Sequence, residues 1–542
     1  MIKRLLFFAF CIVSFSTFSQ NTVGTISVTP DAYDGLTLFS VNTKTFLINN
    51  CGQVVNEWNS SHLPGHSVYI LPNGNLIRAG RKDTSTISFG GVGGIIEMFD
   101  WDGNLLWEFD YSTDQHRLHH DIFPMPNGNI LVLAATRIGN ANAVQAGRDP
   151  NFLVDGDLFN ERILEIEPVG TNQFNIVWEW NVEDHLIQDF DNTKDNFGVV
   201  ADNPGKLDVN FLNGLNGGEN WLHINSIQYN EDLDQIVISS RNLSELWVID
   251  HSTTTAEAAT GSGGTYGKGG DFLYRWGNPE SYDHGSATDR QLYGQHYPHF
   301  IPAGLQDAGK IILFNNGNGR TPLFSEVMII DPPTSAPGVY DYTANVAYGP
   351  TAPDFTYSDA PDFFSAILSS ALRLPNGNTL VCEGATGHFF ELDPSNNVVW
   401  DYILPVNNST GAVLAQGDPT PTSGNSTFRA IKYATNYVGF NGRDLTPGDP
   451  IETNFNLDPC NTLSNDEVSL SEVRVYPNPV NDEVTIQTTL DIKKIEVYNV
   501  LGKKVGTAYQ TKTFDMTRFN QGIYILKMYS GDRVETRKII KR

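Results

Sequence analysis

The segment Leu372-Arg-Leu-Pro-Asn-Gly-Asn-Thr-Leu-Val-Cys-Glu383, followed by Phe389-Phe-Glu-Leu-Asp393 and Val398-Val-Trp-Asp-Tyr402, decides the fold. Pro-Asn-Gly-Asn favours a tight turn and lies between two short apolar runs, so it reads as a β-hairpin. A second hairpin follows: an apolar strand ending on an acidic residue, a turn, and a strand ending in an aromatic residue. Two hairpins in succession make one four-stranded antiparallel sheet.

The same text recurs through residues 35–445. The turn returns as Leu71-Pro-Asn-Gly-Asn75 and Met125-Pro-Asn-Gly-Asn129, more loosely as Gln228-Tyr-Asn-Glu-Asp232 and Ile301-Pro302-Ala, and in degenerate form in Phe428-Arg-Ala-Ile-Lys-Tyr433. The aromatic-ended hairpin reappears with Trp58, Trp107, Trp180, Trp276 and Tyr342, and these aromatics read as packing groups. Six such units predict an all-β fold, a six-bladed β-propeller over 21–460. The terminal hairpins are expected to complete one shared blade and close the ring. Gly/Asp/Asn-rich inserts at 181–218, 252–270 and 405–425 are expected to be loops over one face.

The repeat places chemistry at one position. Six residues before the turn Pro, or its equivalent, stand His66, His120, His223 and His296, then Ser369 and Thr427 in the last two repeats. Histidine is only 12 of 542 residues, so four at one offset points to a shared role. Each opens the first strand of its hairpin, at the end away from the turn. The second strand returns to that end with an arginine in four repeats: Arg78 or Arg81, Arg137, Arg241 and Arg320. Cyclic repetition would gather these ends around one pocket. Guanidinium offers fixed paired donors to sulfate, phosphate or carboxylate, and imidazole can donate, exchange protons or attack. Such an anion site needs no metal or cofactor, and arginines beside histidines oppose a cation.

The rest of the chain bears on location. Acidic residues number 62 against 35 Lys+Arg, for a net charge of −27, which excludes electrostatic binding to nucleic acid. Lys3-Arg4, the apolar run Leu5 to Val13 and a Ser-rich exit to Gln20 describe a secretory signal peptide over 1–20, too short for the roughly 20 residues of a membrane span. Cys51, Cys382 and Cys460 remain beyond it; one disulfide is possible, and buried thiols are the alternative. A polar linker, 461–470, precedes 471–542, where short period-two runs predict a small Ig-like antiparallel β-sandwich. Within it Val475-Tyr-Pro-Asn-Pro479, Val497-Tyr-Asn-Val-Leu-Gly502-Lys and Gly522-Ile-Tyr-Ile-Leu-Lys527 resemble the C-terminal sorting domain of type IX secretion substrates. That resemblance implies the type IX machinery as partner and a product that is secreted or held on the outer cell surface.

The repeats resemble the exported arylsulfotransferase family. The matching phrases are Trp221-Leu-His223-Ile-Asn225-Ser-Ile, Tyr274-Arg-Trp-Gly-Asn278-Pro, Gly294-Gln-His296, Phe314-Asn-Asn-Gly317 and Phe428-Arg-Ala430. The resemblance implies transfer of a sulfuryl group from a small aryl sulfate donor to a phenolic acceptor through an axial histidine. It marks His223, His296 and Arg320 as supporting groups, and His120 joins them as a catalytic candidate. His66, Arg137, Arg241, Asn225 and Ser369 are assigned to substrate binding. The family's nucleophilic histidine falls in the fifth repeat, where this chain has Ser369. The nucleophile would therefore be His296 or His223, or the transfer would run directly between two bound phenols. A non-catalytic surface propeller binding an anionic glycan or a protein is the alternative.

Overall fold

The computed structural model describes residues 21–461 and 473–542, apart from 83, 154–155, 215–217, 489, 501 and 531–532. The signal peptide and most of the linker expected from sequence lie outside the described residues. The chain divides into two compact units, Met1–Leu463 and Ser464–Arg542.

Among the described residues, the first unit holds six antiparallel sheets of four or five strands. Sheet two is the simplest, running Pro64–Ile70, Leu76–Arg81, Gly94–Phe99 and Leu105–Asp110 in order. Sheets three, four and five begin with His116–Pro124, Ile224–Asn230 and His296–Phe300, and sheet six with Ser370–Arg373. In each, the first strand pairs with the next through the turn signalled in the sequence, and successive first strands pack side by side.

Apolar residues on both faces of each sheet serve two neighbours. Leu38 and Leu47 of sheet one pack with Val68 and Leu76 of sheet two. Ile77 and Ile96 of sheet two meet Val132 and Leu164 of sheet three. The series continues through Leu133 with Ile236, Val248 with Leu313, and Ile329 with Val381. It ends where Leu380 and Phe389 of sheet six pack on Phe39 and Phe46 of sheet one. The six interfaces form a cycle, giving a propeller-like all-β fold.

The repeat aromatics latch that cycle. Five buried indoles donate to a main-chain carbonyl in the last strand of the next sheet or the connection before it: Trp58 to Asp100, Trp107 to Gln173, Trp180 to Gly270, Trp276 to Pro350 and Trp400 to Asn50, at 2.7–3.0 Å. An indole N–H buried without a partner would be costly, so each ring fixes the spacing of its neighbour as well as filling the core.

The two ends of the unit share one sheet, as expected from sequence, but the C-terminal end brings one strand to it and not a hairpin. A single C-terminal strand, Ile431–Ala434, pairs with Gly35–Val41 as the first strand of sheet one. The N-terminal strand Gly24–Val28 crosses the other way, onto Val398–Ile403 of sheet six. The degenerate repeat at Phe428–Tyr433 lacks the Asn-Gly turn that would form a second strand, so one strand is all it contributes.

Cys51 and Cys460, 409 residues apart, form a disulfide that ties the exit of this unit to sheet one, while Cys382 is buried and free. A cross-link closing so long a loop restricts the unfolded chain strongly. Cys51→Ser is expected to lower stability by about 2–5 kcal/mol. Thermal melts with and without reductant check this: reduction should bring the native protein to the variant's level and leave the variant unmoved.

In the second unit two antiparallel sheets share one core. Val473–Tyr476, Glu483–Thr488 and Thr513–Asp515 form one, and Lys494–Asn499, Lys504–Tyr509, Gly522–Ser530 and Arg533–Lys541 the other. Val484, Ile495, Leu526 and Ile539 are buried between them.

Candidate active site

The histidine offset corresponds to a backbone irregularity. His66, His120 and His223 have φ of 107°, 48° and 48°, Ser369 has 88°, and in sheet five the left-handed residue is Tyr297 at 55°. Strand pairing shifts register beside His66, His120, His223 and His296. A left-handed residue at a bulge breaks the two-residue alternation, so neighbouring side chains can turn to the same side.

All four histidines converge. The His66 and His120 rings are 5.5 Å apart between centroids, and His120 and His223 4.6 Å. Phe428 joins His66 at 4.9 Å and His296 at 6.5 Å, and Phe89 lies 5.9 Å from His223. His120 and His296 are buried, while His66 and His223 are half-buried. A cavity of about 160 Å³ reaches the edge of this cluster at His66, and is also lined by Arg81, Leu368, Thr427 and Phe428. Gly91 covers the His120 ring: a Cβ there would lie 1.9 Å from Cε1, and its φ of +83° also favours glycine.

The pocket holds its imidazoles neutral. Burial, then the charges of Arg429 and Arg81, pushes His66 down to about 4. Burial lowers His296 to about 3, with Arg241 and Arg429 adding to it against an Asn316 hydrogen bond that raises it. His120 and His223 are likewise pushed well below the ordinary value, chiefly by burial. Asn316 donates its amide to the Ser365 and Leu368 carbonyls, so its oxygen accepts from His296 Nδ1 at 2.7 Å and leaves Nε2 without a proton.

The arginines divide into two groups. Arg81 and Arg241 act on the histidines, and so does Arg429, which the histidine offset does not single out and which does so while paired with Asp121 at 2.6 Å. The others are engaged elsewhere. Arg78 faces its cross-strand partner Glu97 at 3.4 Å, Arg137 pairs with Asp157 at 2.7 Å, and Arg320 pairs with Glu326 at 2.7 Å. A carboxylate on a neighbouring strand or loop captures each of these three, which the repeat offset could not reveal. Asn225 is buried and donates to the Gln295 carbonyl at 2.8 Å. The Ser369 hydroxyl has its one proton between Ser365 Oγ at 2.8 Å and the Ile367 carbonyl at 3.2 Å and accepts from Gly384 N–H, so it is engaged by its neighbours.

Three groups escaped the sequence reading. Arg429 sits inside the phrase Phe428-Arg-Ala430, and His119 is doubled with His120; both were visible but unassigned. Glu161, 2.6 Å from His119 Nε2, lies in a strand with no local sign of a site. Outside the pocket, His62, Glu97 and Glu108 offer ligand atoms within 4.8 Å of one another, but Glu97 is shared with Arg78.

Residues 474–542 match the family described as Secretion system C-terminal sorting domain, which indicates secretion to the cell surface or outside. No curated protein matches the chain. Among solved structures, a Bacteroides caccae protein of unknown function is 12% identical, covering 68% of this chain and 94% of its own, with a TM-score of 0.37. A periplasmic gluconolactonase from Pseudomonas aeruginosa is 8% identical, covering 93% and 99%, at a TM-score of 0.33. Scores this low carry no argument about activity. Residues 26–416, by contrast, match one family from the N-terminal strand through all six sheets, including the four convergent histidines: the chain belongs to the Arylsulfotransferase (ASST) family.

Proposed function

We propose that this protein is an exported aryl-sulfate sulfotransferase, built as a signal peptide, a six-bladed propeller over 21–460, a linker and an Ig-like sorting domain. It moves a sulfuryl group from a small aryl sulfate to a phenol. The observation that carries this reading is the convergence of His66, His120, His223 and His296, all held neutral, beside the cations Arg81 and Arg241 and the Arg429–Asp121 pair.

The chemistry follows from that set. An aryl sulfate is a monoanion whose charge lies on three sulfate oxygens, and guanidinium groups around it stabilise the charge as the S–O bond loosens. Neutral imidazole has the lone pair that an attacking group or a base needs at neutral pH. Phe89 and Phe428 give the aromatic ring of donor or acceptor an apolar surface. Arg320 and Arg137 are held in ion pairs with Glu326 and Asp157, and Asn225 and Ser369 would shape the walls.

The test is transfer from 4-nitrophenyl sulfate to phenol by the purified mature protein. Acceptor-dependent release of nitrophenol is expected, and His296→Ala should cut kcat/KM about 10²–10⁴-fold. No release across a panel of aryl sulfates and phenols would sink the reading and leave a propeller that binds anions without turning them over.

A further inference from the structure

The His119–His120 pair is backed by a carboxylate in a way that sets His120 apart within the cluster. Glu161 stands on the strand Leu158–Val169 and is buried. One of its oxygens accepts the Ile224 N–H at 3.0 Å, and the other meets His119 Nε2 at 2.6 Å. His119, its side chain wholly buried, then places Nδ1 3.0 Å from Nδ1 of His120. With the Nε2 proton of a neutral His119 directed at Glu161, Nδ1 accepts, and the proton between the two rings belongs to His120 Nδ1. His120 Nε2 then carries a lone pair, and it makes no hydrogen bond among the described residues. His296 and His223 have only the amides of Asn316 and Asn220 behind Nδ1, and an amide cannot take up a proton.

We propose that His120 is the nucleophile that accepts the sulfuryl group, with His119 and Glu161 as positioning residues that exchange its Nδ1 proton; this rests on the sulfotransferase reading above. Nε2 attacks sulfur, the N–S bond forms as the S–O(aryl) bond breaks, and the bonding pair leaves with the phenolate oxygen. The Nδ1 proton of His120 passes to His119 Nδ1, and Glu161 balances the imidazolium that results. In the second half the proton returns to His120 Nδ1, restoring a cationic leaving group. The acceptor phenol oxygen then attacks sulfur, the N–S pair returns to Nε2, and the phenol proton passes through a neighbouring neutral imidazole to solvent. The role moves from the fifth repeat to the second, consistent with a Ser369 hydroxyl already engaged by its neighbours.

Full-length mature protein is mixed with 4-nitrophenyl sulfate without acceptor, quenched in base and mapped by mass spectrometry. The mass of one SO3 group is expected on His120. Glu161→Gln, which keeps the bond to Ile224, should lower kcat about 10²-fold at unchanged KM and melting temperature, and Glu161→Asp should recover part of the rate. Label on His296 or His223, turnover without label, or a Glu161→Gln rate within about twofold of the native protein overturns the proposal. If no aryl sulfate is turned over, the sulfotransferase reading has failed, and the relay is read separately with diethyl pyrocarbonate. His120 should then react faster than His296 and His223 in the native protein, and lose that excess in Glu161→Gln. Equal reactivity of the three overturns the relay itself.

Discussion

Arg429→Met is expected to cost about 3–5 kcal/mol of folding stability, because it strands a buried carboxylate. Arg429 and Asp121 are 2.6 Å apart with side chains 1% and 0% exposed. The guanidinium also donates to the Tyr69 hydroxyl at 2.9 Å and lies over the Tyr297 and Phe428 rings. Asp121 accepts in addition from Ile227 N–H at 3.1 Å. Arg429 immediately precedes the closing strand of sheet one, Tyr69 is in sheet two, Asp121 in three, Ile227 in four and Tyr297 in five. One ion pair thus joins five sheets at the centre of the ring. Urea denaturation checks the expectation: the double variant Arg429→Met/Asp121→Asn should lose less than the two single losses combined, because no charge is left unpaired. A loss below about 1 kcal/mol in Arg429→Met would show that the pair does not hold the ring together.

Stability is also expected to fall steeply between pH 6.5 and 4. In the unfolded chain histidine takes its proton near 6.5. In the folded protein His66 and His299 do so at about 4 and His296 at about 3, in each case mainly because burial disfavours the charged ring. Below 6.5 the unfolded chain therefore binds more protons, and the stability present above that pH is withdrawn as pH falls. A shift of this size in a buried imidazole is worth on the order of 3–5 kcal/mol, so a few such groups rival the whole stability of an ordinary domain. His251 and His388 work in the opposite sense. Although burial opposes it, Asp234 and Glu165 raise the first to about 9, and Asp401 and Glu383 raise the second to about 9. Their contribution is present below 6.5 and is lost as pH rises through 9. Melting temperature should therefore be highest near pH 6.5 and fall on either side of it. A melting temperature constant from pH 7 to 4.5 would contradict the account.

The histidine cluster was legible in part because some of it is local. His66, His120, His223 and His296 stand out at a fixed distance from a turn, and a turn imposes the same backbone geometry each time it recurs. The arginine expectation fared differently. Arg81 and Arg241 face the histidines, while Arg78, Arg137 and Arg320 are captured by Glu97, Asp157 and Glu326, partners set by strand pairing and loop packing. Arg429 acts on His66 and His296 from a place held by Asp121, 308 residues away in the chain.

What the amino-acid sequence determined by itself is the repeated four-stranded unit, the ring position of the histidines and the sorting domain. All three rest on short-range signals: turn residues, period-two alternation and contiguous motifs. Only the tertiary structure decided how the ring closes, which cations face the pocket and which histidine is backed by a carboxylate. Those features depend on contacts between sheets far apart in sequence, and on bulges with left-handed residues that release side chains from the alternation. Closing the chain into a ring brings Glu161, His119 and Arg429 to one centre, and no local pattern encodes that meeting.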